Sequence, residues 1–265
     1  MIQDEHKLKG IIFDKDGTLF DYAQVWAEVL SEAINQAFES MGKSEKTPAK
    51  IAMLNLMGID TEGNCIPKGL VFTHKKHIIL KRFLLYCLRY QIKPIQAFKV
   101  YLENVKNSEE LIQEKLKTLD FSVQQELFSH LKSRGYHIGI ITSDTTSSTQ
   151  IFLNLMGIDT MVDFLSTRDS QYKKKPHPQA FEAFCSRFSL VPEQVAMVGD
   201  TETDMKLAKK AKAGYTIALL SGSNDEKLLN RLSDVVYHDI SSLMHDTRLF
   251  FPKIVKTHYS VNSNY

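Results

Sequence analysis

The sequence predicts an α/β protein whose mostly parallel sheet, covered by helices, is interrupted by a helical insert. One short apolar segment, Lys9–Phe13, ends at an acidic turn that contains glycine, which is typical of a buried strand. Residues 21–120 then show helical spacing, and strands and helices alternate from residue 122 onward. Because a lone strand cannot satisfy its backbone groups, the first strand must join the later ones in one sheet. The core is therefore discontinuous in sequence.

The insert consists mainly of predicted helices. The first is expected over Tyr22–Met41, with Gly42 as its stop. The turn-rich segment Gly58–Val71 is the expected loop or small hairpin. Further helices are expected over Pro48–Met57, Thr73–Tyr90, Pro94–Val105 and Ser108–Leu119. The predicted domains are a core of residues 1–20 and 121–252, a helical domain of residues 21–120, and a polar tail of residues 253–265.

The later part of the chain supplies the remaining core elements. Ser122 and Gln125 form a capping-box pattern that opens a helix, and Gly135 closes it. Strands are expected at His137–Thr142, Phe164–Ser166, Val195–Gly199, Thr216–Leu220 and Asp234–Tyr237. Helices are predicted between them, and this order implies a mostly parallel sheet covered by helices.

Composition narrows the choice of partner. Lys and Arg number 33 against 31 Asp and Glu, so the net charge of +2 favours neither nucleic acid nor an anionic membrane. Cys65, Cys87 and Cys185 include no CxxC pair, so neither a disulfide framework nor a zinc site is indicated. The first ten residues lack an apolar signal core, and no apolar run is long enough for a membrane span. The expectation is a cytoplasmic protein, monomer or homodimer, that binds a small molecule.

Two carboxylates, Asp14 and Asp16, follow directly on the first predicted strand. Open α/β sheets bind ligands at that edge of the sheet. Two acids so placed allow a division of labour, in which one binds metal and attacks phosphorus while the other moves a proton to the leaving oxygen. A solvated acidic turn would give the same DxDG pattern, so the motif gains its weight from the motifs that follow.

Phosphate-binding groups are expected at two further places. Thr142 and Ser143 end a predicted strand, and their hydroxyls are suited to donate hydrogen bonds to a phosphate oxygen. Lys175 precedes Pro176 and Pro178, which would stiffen the backbone and aim the ammonium from the start of a helix. A fixed cation can offset the charge of a transferring phosphoryl group. A solvated basic loop is the alternative interpretation.

A second acidic pair, Asp200 and Asp204, follows the strand Val195–Gly199. Asp204 falls one helical turn after Asp200, so it can support Asp200 or orient a metal-bound water. Magnesium prefers oxygen ligands and commonly binds one or two carboxylates together with water and phosphate. The alternative is an ordinary acidic first turn of a helix, which the helix dipole favours without any ligand.

The four motifs, taken in order, resemble those of the haloacid dehalogenase superfamily. The matching segments are Asp14–Leu19 for motif I, Thr142 for motif II, Lys175 for motif III and Gly199–Asp204 for motif IV. The resemblance covers nearly the whole chain and is closest to the phosphoglycolate phosphatase-like branch. It implies a Rossmann-like core with a helical cap of the C1 type inserted after motif I, in agreement with the insert predicted from periodicity.

The resemblance also implies roles. Asp14 would be the nucleophile, and Asp16 the general acid for the leaving group and then the base for water. The backbone carbonyl of Asp16 would join Asp14 and Asp200 around Mg²⁺, and Thr142 and Lys175 would hold the phosphoryl oxygens. The implied function is a phosphatase acting on a small phosphorylated metabolite such as phosphoglycolate, through an aspartyl-phosphate. A sugar phosphomutase and a non-catalytic phospholigand sensor are the alternatives.

Basic residues cluster around the start of one helix of the insert. A helix N-terminus prefers acids, so the HKKH run His74–His77 is locally unfavourable and suggests a side that faces an anion. A solvated basic face is the alternative. The candidates for contact with the organic part of the substrate are Lys68, Lys75, Lys76 and Arg82.

Overall fold

A six-stranded parallel sheet organises the computed structural model. Its strands are β1 Gly10–Phe13, β2 His137–Ile141, β3 Phe164–Ser166, β4 Val195–Gly199, β5 Tyr215–Leu219 and β6 Val235–Tyr237. The strand order is β3-β2-β1-β4-β5-β6, and all neighbours run parallel. The structure describes residues 8–40, 47–60, 62–63, 76–92, 112–222 and 225–250. The predicted α/β fold is confirmed, with strand boundaries within one residue of those expected.

The first strand lies in the middle of this sheet, as its isolation in the sequence required. Gly10 pairs with His137 of β2 on one side and with Val195 of β4 on the other. Both β1 and β4 are buried along their whole length, which explains why their sequences are continuous apolar runs without polar alternation. The direction of strand order reverses between β1 and β4. In sheets of this topology, ligands bind outside the carboxyl ends of the strands at such a point.

The helices whose bounds lie wholly within the described residues pack around the sheet and form the insert. They are α1 Tyr22–Ser40, α2 Pro48–Met57, α3 Lys76–Arg89, α4 Ser122–Ser133, α5 Thr146–Met156, α6 Gln179–Arg187, α7 Glu202–Ala211, α8 Glu226–Leu232 and α9 Thr247–Phe250. The helix predicted over Pro94–Val105 lies outside the described residues. Of the helix predicted over Ser108–Leu119, the described part begins at residue 112, and residues 112–116 are helical. Within the described chain, no helix combines the length and the apolar character that a membrane crossing needs.

The predicted capping box at the start of α4 is wrong. Ser122 is already the first helical residue, and Phe121 occupies the N-cap position without a side-chain hydrogen bond. Instead the carboxylate of Asp120 accepts a hydrogen bond from the Ser122 amide at 2.9 Å, and this bond lowers the pKa of Asp120. The helix does end before Gly135, whose φ of +81° suits glycine, as predicted.

Apolar side chains form separate clusters on the two faces of the sheet and within the insert. Successive residues of β1 point to opposite faces, so Phe13 packs with Phe128 of α4 while Ile12 packs with Phe184 of α6. A further cluster joins α1, α2 and α3 without a strand residue; its members include Phe38, Met53, Leu54, Tyr86 and Cys87. This separate cluster is what a helical insert would need, and the domain boundaries stay a prediction.

Candidate active site

The carboxyl ends of β1 and β4 bring two acids to the point where strand order reverses. Asp14 directly follows β1 and Asp200 directly follows β4. The Asp14 amide donates to the carbonyl of Val198 at 2.9 Å, which continues the pairing of the two strands up to the acid. Both carboxylates are buried. The topology of the sheet therefore fixes the spacing of two acids that lie 186 positions apart.

Asp204 completes a cluster of three carboxylates. Oxygen atoms of Asp14, Asp200 and Asp204 all lie within 4.8 Å of one another. Asp204 is fully buried in the first turn of α7, where it forms a capping box with Thr201. Its Oδ2 accepts from the Thr201 amide at 3.1 Å and from the Thr201 hydroxyl at 2.5 Å. These bonds fix the carboxylate and leave Oδ1 directed to another partner.

That partner is Lys175, which lies between two of the acids. Its Nζ is 2.8 Å from Asp14 Oδ1 and 2.7 Å from Asp204 Oδ1, and its side chain is only 6% exposed. Burial alone would lower the pKa of Lys175, but the charges of Asp14 and Asp204 outweigh it and raise the pKa. The ammonium is therefore a permanent charge that holds both carboxylates.

Three carboxylates around one ammonium leave an excess of negative charge inside the protein. Burial raises the pKa of Asp14 to about 7, although Lys175 opposes the change. Burial, together with the charges of Asp14 and Asp204, also raises the pKa of Asp200 well above its usual range. A divalent cation would supply the missing positive charge, and oxygen donors are the ligands that Mg²⁺ prefers. The residues present therefore fit a magnesium ion.

The raised pKa of Asp14 predicts a pH-dependent stability of the metal-free protein. The carboxyl titrates near 3.8 when unfolded and near 7 when folded, so between these values the folded state binds more protons. The contribution of Asp14 to stability is therefore largest at the acidic side of this window and falls as the pH rises to about 7. Lys175 does not contribute, because its unfolded pKa of 10.5 lies above the window.

Chemical denaturation in a chelator at pH 5 and pH 8 measures this fall, for which we expect about 1 kcal/mol or more. The Asp14→Asn variant is the control, because it removes the titrating group and should show a smaller fall. The free energy of unfolding should fall more from pH 5 to pH 8 in the wild type than in the variant. An equal or smaller fall in the wild type would contradict the prediction.

Two glycines, one in the motif I turn and one after β5, allow Asp200 to approach the backbone closely. Gly17 has a φ of +82°, and a Cβ there would lie 2.5 Å from Asp200 Oδ2. A Cβ at Gly222 would overlap the same oxygen. The hydroxyl of Thr18 donates to Asp200 Oδ1 at 2.9 Å, and that of Ser221 donates to the Gly17 carbonyl at 2.7 Å. Thr18 and Ser221, which orient the acid and the turn, were not predicted as site residues, because nothing in the local sequence distinguishes their hydroxyl groups from ordinary turn residues.

The second motif lies at the end of β2, next to β1. Thr142 is buried, its amide donates to the carbonyl of Ser166 at 2.9 Å, and its Oγ1 accepts from the Asp144 amide at 3.1 Å. Ser143 is exposed. The strand ends therefore place a hydroxyl group on the strand adjacent to Asp14, as a phosphate-binding role requires; that role stays a prediction.

Asp16 forms an ion pair with Lys15, a residue that was not among the predicted site residues. Its Oδ1 lies 2.6 Å from Nζ of Lys15, and its side chain is 28% exposed. Burial raises the pKa of Asp16, and the charge of Lys15 opposes this change. The same ammonium lies 3.0 Å from Oδ2 of Asp144. A lysine between two acids in a turn resembles an ordinary solvated residue, so nothing in the local sequence signals this contact.

A cavity of about 420 Å³, counted with the solvent at its mouth, adjoins Thr142 and Lys175. Among the described residues, its lining combines hydroxyl groups with basic side chains and includes no carboxylate. The polar and basic lining residues are Thr142, Ser143, Ser166, Thr167, Arg168, Tyr172, Lys173, Lys174 and Lys175. This composition suits an anionic ligand.

The basic candidates of the insert are only partly described. Lys68 and Lys75 lie outside the described residues. Lys76 begins α3, but its side chain also lies outside them. Arg82 lies on α3 with an exposed side chain. Their contact with a substrate stays a prediction.

A parallel sheet of this strand order, with buried carboxylates and a lysine at the reversal point, defines a Rossmann-like α/β fold with a candidate cation site. The chain belongs to the haloacid dehalogenase-like hydrolase family, whose model matches residues 8–212. The predicted resemblance is thereby confirmed.

A solved hydrolase of this superfamily, subfamily IA variant 1, from Geobacter sulfurreducens PCA superimposes with a TM-score of 0.59 at 17% identity. That match covers 92% of this chain and 99% of the other, and it establishes the shared fold.

Curated relatives are similar over part of their length. A phosphoglycolate phosphatase of Nitrosococcus oceani is 35% identical over 91 residues, which are 34% of this chain and 40% of that protein. The pyrophosphatase PpaX of Bacillus thuringiensis is 26% identical over 125 residues, which are 44% of this chain and 58% of that protein. The chain thus matches about half the length of these relatives.

Proposed function

We propose that the protein is a magnesium-dependent phosphatase that hydrolyses a small phosphorylated metabolite through an aspartyl-phosphate on Asp14. The observation that carries this proposal is the buried contact of Asp14 with Lys175, 2.8 Å apart, beside the carboxylates of Asp200 and Asp204. A nucleophilic carboxylate fixed by a cation, next to a site that fits a divalent ion, is suited to attack phosphorus. A reducing cytoplasmic location and a monomeric or homodimeric state stay predictions.

In this reaction a carboxylate oxygen of Asp14 forms a bond to phosphorus as the bond to the leaving oxygen breaks. Lys175 and Thr142 bind the phosphoryl oxygens, and the ammonium offsets their charge. Asp16 donates a proton to the leaving oxygen. A water oxygen then forms a bond to the phosphorus of the aspartyl-phosphate as the bond from phosphorus to Asp14 breaks, and the water gives a proton to Asp16. Phosphate leaves, and both acids return to their starting states.

Magnesium would be held by Asp14, Asp200 and the backbone carbonyl of Asp16, with Asp204 beside them in the cluster. When bound, the ion supplies Lewis-acid stabilisation of the phosphoryl charge. The protein's own contribution is to fix the donors: Thr18 holds Asp200, and the capping box of α7 holds Asp204. Because these groups are positioned in advance, little reorganisation is needed when the substrate binds.

The basic cavity beside Thr142 and Lys175 favours substrates that carry a second anionic group. The relatives' names, phosphoglycolate phosphatase and pyrophosphatase, both refer to compounds with a second anionic group next to the reacting phosphate. Arg168 and Lys174 line the cavity and are exposed. Arg168 Nε lies 3.9 Å from Asp169 Oδ1 in an exposed ion pair, and a second anion of the substrate would compete with that carboxylate. We therefore place this protein's substrate among small phosphoesters that carry a second anionic group besides the reacting phosphate, with phosphoglycolate as the first candidate.

The Arg168→Ala variant tests this substrate class. We expect the KM for phosphoglycolate to rise about three- to tenfold, because a charge-assisted hydrogen bond to the second anion is lost. The KM for p-nitrophenyl phosphate, which lacks that anion, should change little. Steady-state kinetics on both esters measures the difference, and Arg231→Ala on α8, also exposed, is the matched control. Equal changes on the two esters would contradict the role of the cavity.

The function itself is tested by measuring phosphate release from a panel of phosphorylated metabolites, with and without magnesium. The panel includes phosphoglycolate, pyrophosphate and hexose phosphates. Magnesium-dependent release from at least one ester supports the phosphatase. Interconversion of hexose phosphates without phosphate release would point to a mutase. Tight binding of an ester with neither reaction would point to a phospholigand sensor.

A further inference from the structure

Lys15 is a buried cation in the centre of the motif I turn. Its side chain is 1% exposed, and its Nζ lies 2.6 Å from Asp16 Oδ1 and 3.0 Å from Asp144 Oδ2. The ammonium also lies 3.9 Å from the centre of the Phe152 ring. Removing an ammonium from water is costly, and an apolar residue in such a place is often as stable or more so. Stability alone therefore does not account for a lysine here.

Asp144 is itself held firmly, so it can anchor the lysine. Its Oδ1 accepts from the Thr145 amide at 2.7 Å, and the side chain of Ser148 also donates to it. Burial would raise the pKa of Asp144, but Lys15 and these hydrogen bonds lower it, so the carboxylate stays charged. Its amide donates to Oγ1 of Thr142. The ion pair thus ties the motif I turn to the loop that follows β2.

We propose that Lys15, anchored by Asp144, is a positioning residue that holds the Asp16 carboxyl group in the orientation needed for proton transfer from Oδ2 to the leaving group. This inference rests on the proposed role of Asp16 as general acid. Lys15 binds Oδ1 of Asp16, so Oδ2 is the oxygen that carries the transferred proton. Asp16 is 28% exposed, and without Lys15 its side chain would sample several rotamers. Fixing one rotamer in advance removes that entropy cost from the reaction.

The consequence is a dependence on the leaving group. An alkyl phosphate such as phosphoglycolate needs its leaving oxygen protonated, whereas 2,4-dinitrophenolate leaves without help. We expect Lys15→Met to lower kcat about 10- to 100-fold on phosphoglycolate, a part of what general acid catalysis supplies. On 2,4-dinitrophenyl phosphate we expect the loss to be under about threefold, with KM little changed on both esters.

The matched control is Lys132→Met. Lys132 forms an ion pair with Asp163 at 2.8 Å and is 34% exposed, so this variant makes the same substitution in an ion pair outside the site. It should leave the kinetics on both esters unchanged. Asp144→Asn removes the anchor while keeping its shape, and it should show the same leaving-group dependence with a smaller loss. If Lys15→Met does not fold, the Asp144→Asn variant alone tests the positioning role of Lys15.

The outcomes separate this inference from the proposed function. The Asp16→Asn variant sets the reference, because it removes the acid itself. If Asp16→Asn shows no greater loss on phosphoglycolate than on the dinitrophenyl ester, the general acid role fails. The alternative result is that Asp16→Asn loses more kcat on phosphoglycolate than on the dinitrophenyl ester, as a general acid requires. If Lys15→Met and Asp144→Asn then lower kcat equally on both esters, or leave it unchanged, only the positioning role is overturned.

Discussion

Asp14→Asn is expected to abolish phosphate release, with kcat lowered at least about 10⁴-fold. The substitution keeps the size of the side chain but replaces the attacking carboxylate with an amide, which is a poor nucleophile. Because Lys175 keeps its contact with Asp204, the site should not collapse. Phosphate release from the preferred ester of the panel measures the effect, with thermal unfolding as the check on folding.

Asp163→Asn is the control for this substitution. Asp163 forms an ion pair with Lys132 and accepts a hydrogen bond from the Ile138 amide. Neither contact involves a residue of the acidic cluster. It should retain most of the activity. Activity of Asp14→Asn above a few per cent of the wild type would exclude Asp14 as the nucleophile.

Removal of divalent ions should have an effect of similar size, at least about 10³-fold on kcat. Without a cation, an anionic phosphoester must approach three carboxylates that are offset by Lys175 alone. Activity is measured in a chelator and again after magnesium is added back, which should restore it. Full activity in the chelator would contradict the proposed site.

Asp200→Asn sharpens the metal test. This variant removes one donor while Thr18 can still hold the side chain in place. The magnesium concentration for half-maximal activity should rise about tenfold or more. Mutating a residue that only hydrogen-bonds to a metal ligand already lowers metal affinity about 10- to 100-fold, and Asp200 is proposed as a ligand itself. The Asp163→Asn control should leave that concentration unchanged.

The position of the acidic cluster could be predicted because it depends on sheet topology. Apolar runs that end in Asp14 and Asp200 define strand ends, and the carboxyl ends of parallel strands meet at one edge. Asp204 was expected as a support of Asp200. Its contact with Lys175 depends on the capping box with Thr201, which fixes the side chain in a way that spacing alone does not specify.

Lys15 shows why other parts of the site could not be predicted. Its burial depends on Asp144 and Phe152, which lie more than 120 positions later and reach it only after β1 and β2 have paired. Local sequence carries no record of that contact. The start of α4 shows a smaller failure of the same kind, because both Asp120 and Ser122 are capable caps and the pattern did not decide between them.

Trapping the phosphorylated enzyme tests the role of Asp14 most directly. The wild-type protein is mixed with magnesium and its preferred ester, quenched in acid within the first turnovers, and analysed by mass spectrometry of the intact chain and of its peptides. We expect a fraction of the protein to be heavier by one phosphoryl group, which is located on Asp14 and is absent from the Asp14→Asn variant. A phosphoryl group on another residue would contradict the proposed nucleophile. So would complete conversion of the ester, with enzyme in excess over substrate, if no phosphorylated protein is detected at any time point.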